Sequence, residues 1–197
     1  MTAPAPAPAP TSASTARRNR NRGMLILIVV IFLGSALIAG VLRFSGWRPE
    51  GTRNHGELLQ PPGDLREMQL RMQDGGDYPW DPDARIWRIT LAPPVGCDAP
   101  CVELAAELDL VWQLFGRHAD RVHTLWAGEV PEGIVSNRSL RVIQADPALR
   151  AALPGVDDPA GVPVYVIDPN GFVILRYAPG FDPGDLRSDM VRLLRLD

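Results

Sequence analysis

RIWRITLAPPVGCDAPCVELAAELDLVWQLFGR, residues 85–117, carries three patterns in immediate succession. Arg85–Leu91 alternates well enough for a buried strand. Ala92–Pro100 contains three prolines and a glycine and reads as a loop. In Cys101–Arg117 apolar residues return at intervals of three and four, at Val102, Ala105, Leu108, Val111 or Trp112, and Phe115, and Gly116 closes this helical stretch. A strand, a short loop and a helix are the beginning of a βα unit.

The residues that follow extend it. Arg121–Ala127 (RVHTLWA) and Leu140–Gln144 (LRVIQ) read as further strands, and Asp146–Leu153 as a short helix with Pro147 in its first turn. Val162–Ile167 and Phe172–Tyr177 are strands joined by Asp168-Pro169-Asn170-Gly171, a sequence suited to a tight hairpin. Asp182–Leu196 is a closing amphipathic helix. Early βα units followed by an antiparallel hairpin predict an α/β domain, a mixed sheet flanked by helices, over residues 85–197.

Upstream, the character changes. Residues 43–84 are rich in Pro, Gly and Asp, with short apolar touches at Leu58-Leu59 and Leu65, Met68 and Leu70. They predict an extended linker on the domain surface, with a short edge strand or hairpin. Met24–Leu42 is a run of nineteen residues without a charge, close to the ~20 that a bilayer requires, within an expected transmembrane helix over residues 23–42. A cleaved signal peptide would have a shorter apolar core of roughly 7–15 residues and a small-residue site outside it. Residues 1–22, an Ala-Pro repeat followed by Ser/Thr and Arg, predict a disordered tail.

Arg17, Arg18, Arg20 and Arg22 precede the span, whereas Arg43 and Arg48 follow it with Glu50 and Glu57 close behind. This asymmetry predicts a cytoplasmic N-terminus and a domain on the non-cytoplasmic side of the membrane. Removing those four arginines from the net charge of −3 leaves −7 for the rest of the chain, which argues against nucleic acid as a partner.

Cys97 and Cys101 are the two cysteines, and both lie where the strand hands over to the helix. Unpaired N–H groups and partial positive charge at a helix start favour thiolate over thiol, while Asp98 opposes that effect. A spacing of four allows a disulfide once the intervening residues coil, or lets both sulfurs face one soft metal such as Cu(I). A disulfide that merely braces the loop is the third reading, although a loop this short constrains little unfolded-chain entropy.

Leu91–Cys101, the helix after it, and Gly161-Val162-Pro163 ahead of VYVIDPNG together resemble the thioredoxin superfamily. Within that superfamily, CxxxC followed far downstream by such a hairpin is similar to the Sco/SenC group, membrane-anchored proteins of cytochrome c oxidase assembly. The resemblance covers roughly residues 85–197. It implies a thioredoxin-like domain acting on a protein partner, an oxidase subunit or another assembly factor. Cys97 would be the attacking thiolate and Cys101 the resolving one, with no cofactor required and copper as a ligand the two thiolates can hold. The group's copper-binding His falls here at Ala160, so that third ligand is missing. Pro163 corresponds either to the cis-proline beside the cysteines of thioredoxin-like oxidoreductases or to an ordinary trans proline opening a strand.

Of the three histidines, His55 reads as a solvated linker residue, His118 as a residue following a helix C-terminus, and His123 as part of a strand. Met68 and Met72 fit a short amphipathic face. Trp80, Trp87, Trp112 and Trp126 are read as packing residues. No Ser-His-Asp signature, phosphate loop or paired-His zinc motif is present.

Overall fold

A computed structural model describes residues 12–45 and 54–196. The chain divides into two compact units, Met1–Gly51 and Thr52–Asp197.

The first unit is helix α1, Ser12–Phe44. Its segment Asn21–Leu42 contains an 18-residue window with a mean hydropathy of 3.0, none of it buried against protein. Twenty-two residues rise about 33 Å, enough for a hydrocarbon layer of about 30 Å. Length and composition therefore make α1 a candidate membrane span. Residues 1–22 were expected to be disordered. Residues 1–11 of that stretch lie outside the described residues, and from Ser12 onward it is helical. An established apolar helix extends at low cost, and no proline lies between Ser12 and Arg22 to stop it.

The second unit is a six-stranded sheet in the order β1-β6-β5-β2-β3-β4. Its strands are β1 (Glu57–Asp64), β2 (Trp87–Leu91), β3 (Val122–Ala127), β4 (Leu140–Ile143), β5 (Val164–Ile167) and β6 (Phe172–Tyr177). β2, β3 and β4 run parallel, while β5 is antiparallel to β2, β6 to β5, and β1 to β6. Helices α2 (Ala99–Gln113), α3 (Pro147–Ala152) and α4 (Pro183–Leu196) complete it. This is the mixed sheet flanked by helices that the sequence predicts.

All five residues of β2 are buried. Trp87, Ile89 and Leu91 pack with Leu108 and Val111 of α2 and Leu186 and Met190 of α4. The opposite face carries a second core, in which Leu125, Ile143, Tyr165 and Ile167 meet Leu149 of α3. Residues 54–84 do more than lie on the surface, because Leu59, Leu65, Leu70 and Tyr78 enter this second core. β1 is the expected edge strand, and Arg71 and Asp77 form a small hairpin bridge. Met68 and Met72 pack against the same core from irregular backbone rather than from a helix.

Arg88 explains how that extension is fastened. Its side chain is 1 % exposed, yet its hydrogen-bond partners are neutral. Nε donates to the Tyr78 hydroxyl at 3.0 Å, and Nη1 donates to the Asp168 and Pro169 carbonyls at 3.0 and 3.2 Å. The guanidinium lies 4.5 Å from the centre of the Trp80 ring. One cation thus ties residues 78–80 and the Asp168–Gly171 turn to the central strand. In that turn, the Gly171 N–H donates to the Asp168 carbonyl and the Asp168 carboxylate accepts the Phe172 N–H, with Gly171 at φ +96°.

Tyr78 passes the arrangement on to His123, whose Nδ1 lies 2.8 Å from its hydroxyl. Burial, and then the nearby Arg141 and Arg88 charges, push the imidazole down from 6.5 to about 4. Between these values the unfolded chain binds a proton that the folded one rejects, so stability falls as pH drops. Melting of the full-length chain in detergent, followed by circular dichroism, should show Tm declining from pH 6.5 toward pH 4. His123→Gln should flatten the curve over that window.

Candidate functional site

Strand β2 ends at Leu91, and the chain must turn before α2 can cover the face that carries Trp87, Ile89 and Leu91. The turn is Pro94-Val95-Gly96-Cys97. The Cys97 N–H donates to the Pro94 carbonyl at 3.3 Å, and Gly96 adopts φ +78°. A type II turn requires that left-handed conformation at its third position. Asp98 then caps α2 through its carbonyl, which accepts the N–H groups of Cys101 and Val102. Pro100 sits in the first turn, where its missing donor costs nothing.

The two cysteines form a disulfide, with Cα atoms 5.7 Å apart. Their surroundings differ sharply. Cys101 is wholly buried in the core under α2, whereas Cys97 is only partly buried and lines a cleft of about 610 Å³. The cleft opens where the carboxyl ends of the parallel strands converge, beyond Ala92, Ala127 and Ala145. This is the usual place for sites in sheets of this kind.

Its walls are held by named interactions. Arg150 of α3 donates through Nη1 to the carbonyls of Ala92 (2.8 Å) and Pro93 (3.4 Å), and its Nη2 pairs with Asp157. The loop that carries Cys97 is therefore tethered to α3. Across the cleft, the Glu129 carbonyl accepts the Trp126 indole N–H at 2.9 Å, and the Gly128 N–H donates to Ile143. Asp98, Glu129 and Asp146 line the cleft with Arg150, so its ionisable groups are mostly acidic. Sequence reasoning missed Glu129, Val130, Pro131 and Arg150. The available signal was the Gly128-Glu129-Val130-Pro131 run just after strand β3, a turn placed at a carboxyl end of the sheet.

Pro163 is buried directly before β5. It stands two residues ahead of Tyr165, the partner of Thr90, and therefore at the end of β2 from which the cysteine loop departs. Among the described residues the cis peptide bond is Gln60–Pro61, so the Val162–Pro163 bond is trans. Pro163 is not one of the residues lining the cleft. Ala160 is exposed, and its N–H donates to the Asp158 carboxylate at 3.0 Å.

The histidines stand apart from the cysteines. His55 is not simply solvated: its N–H donates to Asp189 Oδ2 at 2.7 Å, and its ring approaches Asp189 and Asp185 at 3.2 and 3.5 Å. Asp189, 3 % exposed, also accepts the Gly56 N–H and the Tyr177 hydroxyl. Burial raises the Asp189 carboxyl, but these donors outweigh it and hold the group below its ordinary range. The Tyr177 phenol is pushed far up by burial and by that carboxylate. His118 lies in the 3-10 turn Gly116–Arg121. Among the described residues, no three His, Cys, Asp or Glu side chains are grouped to hold a metal.

Gly96 offers a clean test of the turn that presents Cys97, because a Cβ there would meet no neighbour. Gly96→Ala should cost about 1 kcal/mol in urea unfolding, from backbone strain alone.

A family model described as a transmembrane-like, thioredoxin-like, C-terminal domain matches residues 87–197. No curated protein sequence matches the chain. Among solved structures it is similar to BsSco, a Sco-family cytochrome c oxidase assembly protein in which a disulfide switch was identified. The TM-score is 0.52 at 12 % identity, covering 72 % of this chain and 98 % of that one. It is also similar to yeast Sco1 with copper bound, with a TM-score of 0.51 at 12 % identity over 74 % and 95 % of the two chains. The Sco/SenC resemblance in the sequence is thus met in the fold. From its matched residues and its architecture, this chain belongs to the transmembrane-like, thioredoxin-like C-terminal domain family.

Proposed function

We propose that this chain is a membrane-tethered thioredoxin-like factor in the assembly of the copper site of cytochrome c oxidase, working by thiol–disulfide exchange. The observation that carries the reading is the unequal burial of the pair: Cys101 sealed in the core, Cys97 beside an open cleft. A brace for the loop would have no use for such a cleft. The shared fold with Sco proteins supports the biological setting. The arginine asymmetry around the span supports a cytoplasmic N-terminus and a periplasmic domain, where disulfides persist. The partner would be an oxidase subunit or another assembly factor.

From the disulfide form, an incoming partner thiolate attacks Cys97 Sγ. The S–S bond to Cys101 breaks, and Cys101 leaves as a thiolate at the start of α2, where the helix dipole favours negative charge. The partner's second thiol then attacks its own mixed-disulfide sulfur and releases Cys97. Two electrons and two protons have moved from the partner dithiol to the pair. The reverse sequence reduces a partner disulfide.

Copper enters as cargo. Reduction would free two thiolates, a donor set suited to Cu(I). The position of the Sco histidine is Ala160, and no cluster of three donors exists among the described residues. The residues therefore favour exchange, with Cu(I) carriage by Cys97 and Cys101 as the second reading.

The test uses full-length single-cysteine variants in detergent, exposed to 2-hydroxyethyl disulfide and followed by mass spectrometry. Cys101→Ser, which retains Cys97, should form the adduct faster than Cys97→Ser by about tenfold or more. Equal rates, or the reverse order, would contradict the proposal.

A further inference from the structure

We infer that the cleft beside Cys97 selects a partner cysteine flanked by an apolar residue and a cationic one. This rests on the exchange reading and adds the chemistry of the segment that exchange would act on.

The apolar requirement comes from the cleft floor and entrance. Ala92, Ala127 and Leu149 form the floor, too small and too apolar to reward a polar side chain. Val95 stands 99 % exposed at the tip of the turn that ends in Cys97. Val130 and Pro131 rise on the opposite wall. A side chain adjacent to the reacting cysteine would cover this surface while the two sulfurs meet.

The cationic requirement comes from the charges that remain uncompensated. Asp146 spends its carboxylate on the Ala148 N–H, capping α3. Arg150, the cation of the cleft, is committed to the Ala92 and Pro93 carbonyls and to Asp157. Asp98 and Glu129 are exposed, flank Cys97 from the two walls, and have no ion-pair partner among the described residues. Their backbones are held by the cap of α2 and by the Trp126 indole, which keeps both residues at the cleft. A cation on the partner would be attracted to them, and an anion repelled.

The experiment measures how fast full-length Cys101→Ser in detergent captures short peptides whose cysteine carries a 2-thiopyridyl disulfide. Cys97 thiolate attacks the peptide sulfur, a mixed disulfide forms and pyridine-2-thione departs. Leu-Cys-Arg and Leu-Cys-Glu peptides, identical otherwise, are compared at low and high salt. The arginine peptide should react about tenfold faster at low ionic strength and lose that lead at high salt. The ratio should fall toward one in an Asp98→Asn, Glu129→Gln double variant. Replacing Leu by Ser should slow capture of the arginine peptide about threefold or more. Equal rates for the charged pair, or a ratio unmoved by the double variant, would overturn the inference while leaving exchange intact. Failure of both peptides and of 2-hydroxyethyl disulfide to react would remove the exchange reading, and this inference with it.

Discussion

Strand β2 lies inside the sheet with every side chain buried, and that burial governs the position of the cysteines. Its Trp87, Ile89 and Leu91 need a cover, which α2 supplies, so the chain must reverse within the few residues after Leu91. The cysteines occupy the two ends of that reversal. Cys101 falls inside the first turn of the covering helix and is drawn into the core, while Cys97 stays on the loop side. Their inequality is therefore a consequence of packing. A pair placed elsewhere on this sheet would not be divided between core and cleft in the same way.

Two buried charged groups hold the surrounding frame. Arg88 joins the central strand to Tyr78, Trp80 and the Asp168–Gly171 turn, and Asp189 joins α4 to His55, Gly56 and Tyr177. Each is satisfied by several short contacts, which a buried charge requires. Both draw on residues N-terminal to β2. Residues 54–84 thus close the second core and are fastened at two places, so they are part of the fold of this unit.

Much of this was legible in the residues, and for identifiable reasons. Strand and helix periodicities are local, so 85–117 and the DPNG hairpin read correctly, as did Trp87 and Trp126 as packing residues, both of which are buried. Long-range pairing leaves no local trace. His55 reads as a linker histidine because its partner, Asp189, is 134 residues away. The partners of buried Arg88 leave no local trace either, because the rings that shelter it, Tyr78 and Trp80, stand outside its strand. The cleft also escaped, since Gly128–Pro131 and Arg150 meet the cysteine loop only after β3 and α3 are in place. The geometry of Pro163 was left open by the sequence, and the peptide bond before it is trans.

The central claim is that the Cys97–Cys101 bond is made and broken in use. Its reduction potential tests this most directly, measured by equilibrating the full-length chain in detergent with redox buffers and counting free thiols. The account predicts a value above about −300 mV, within reach of thiol partners. A value well below that would mark a permanent structural bridge and contradict the account.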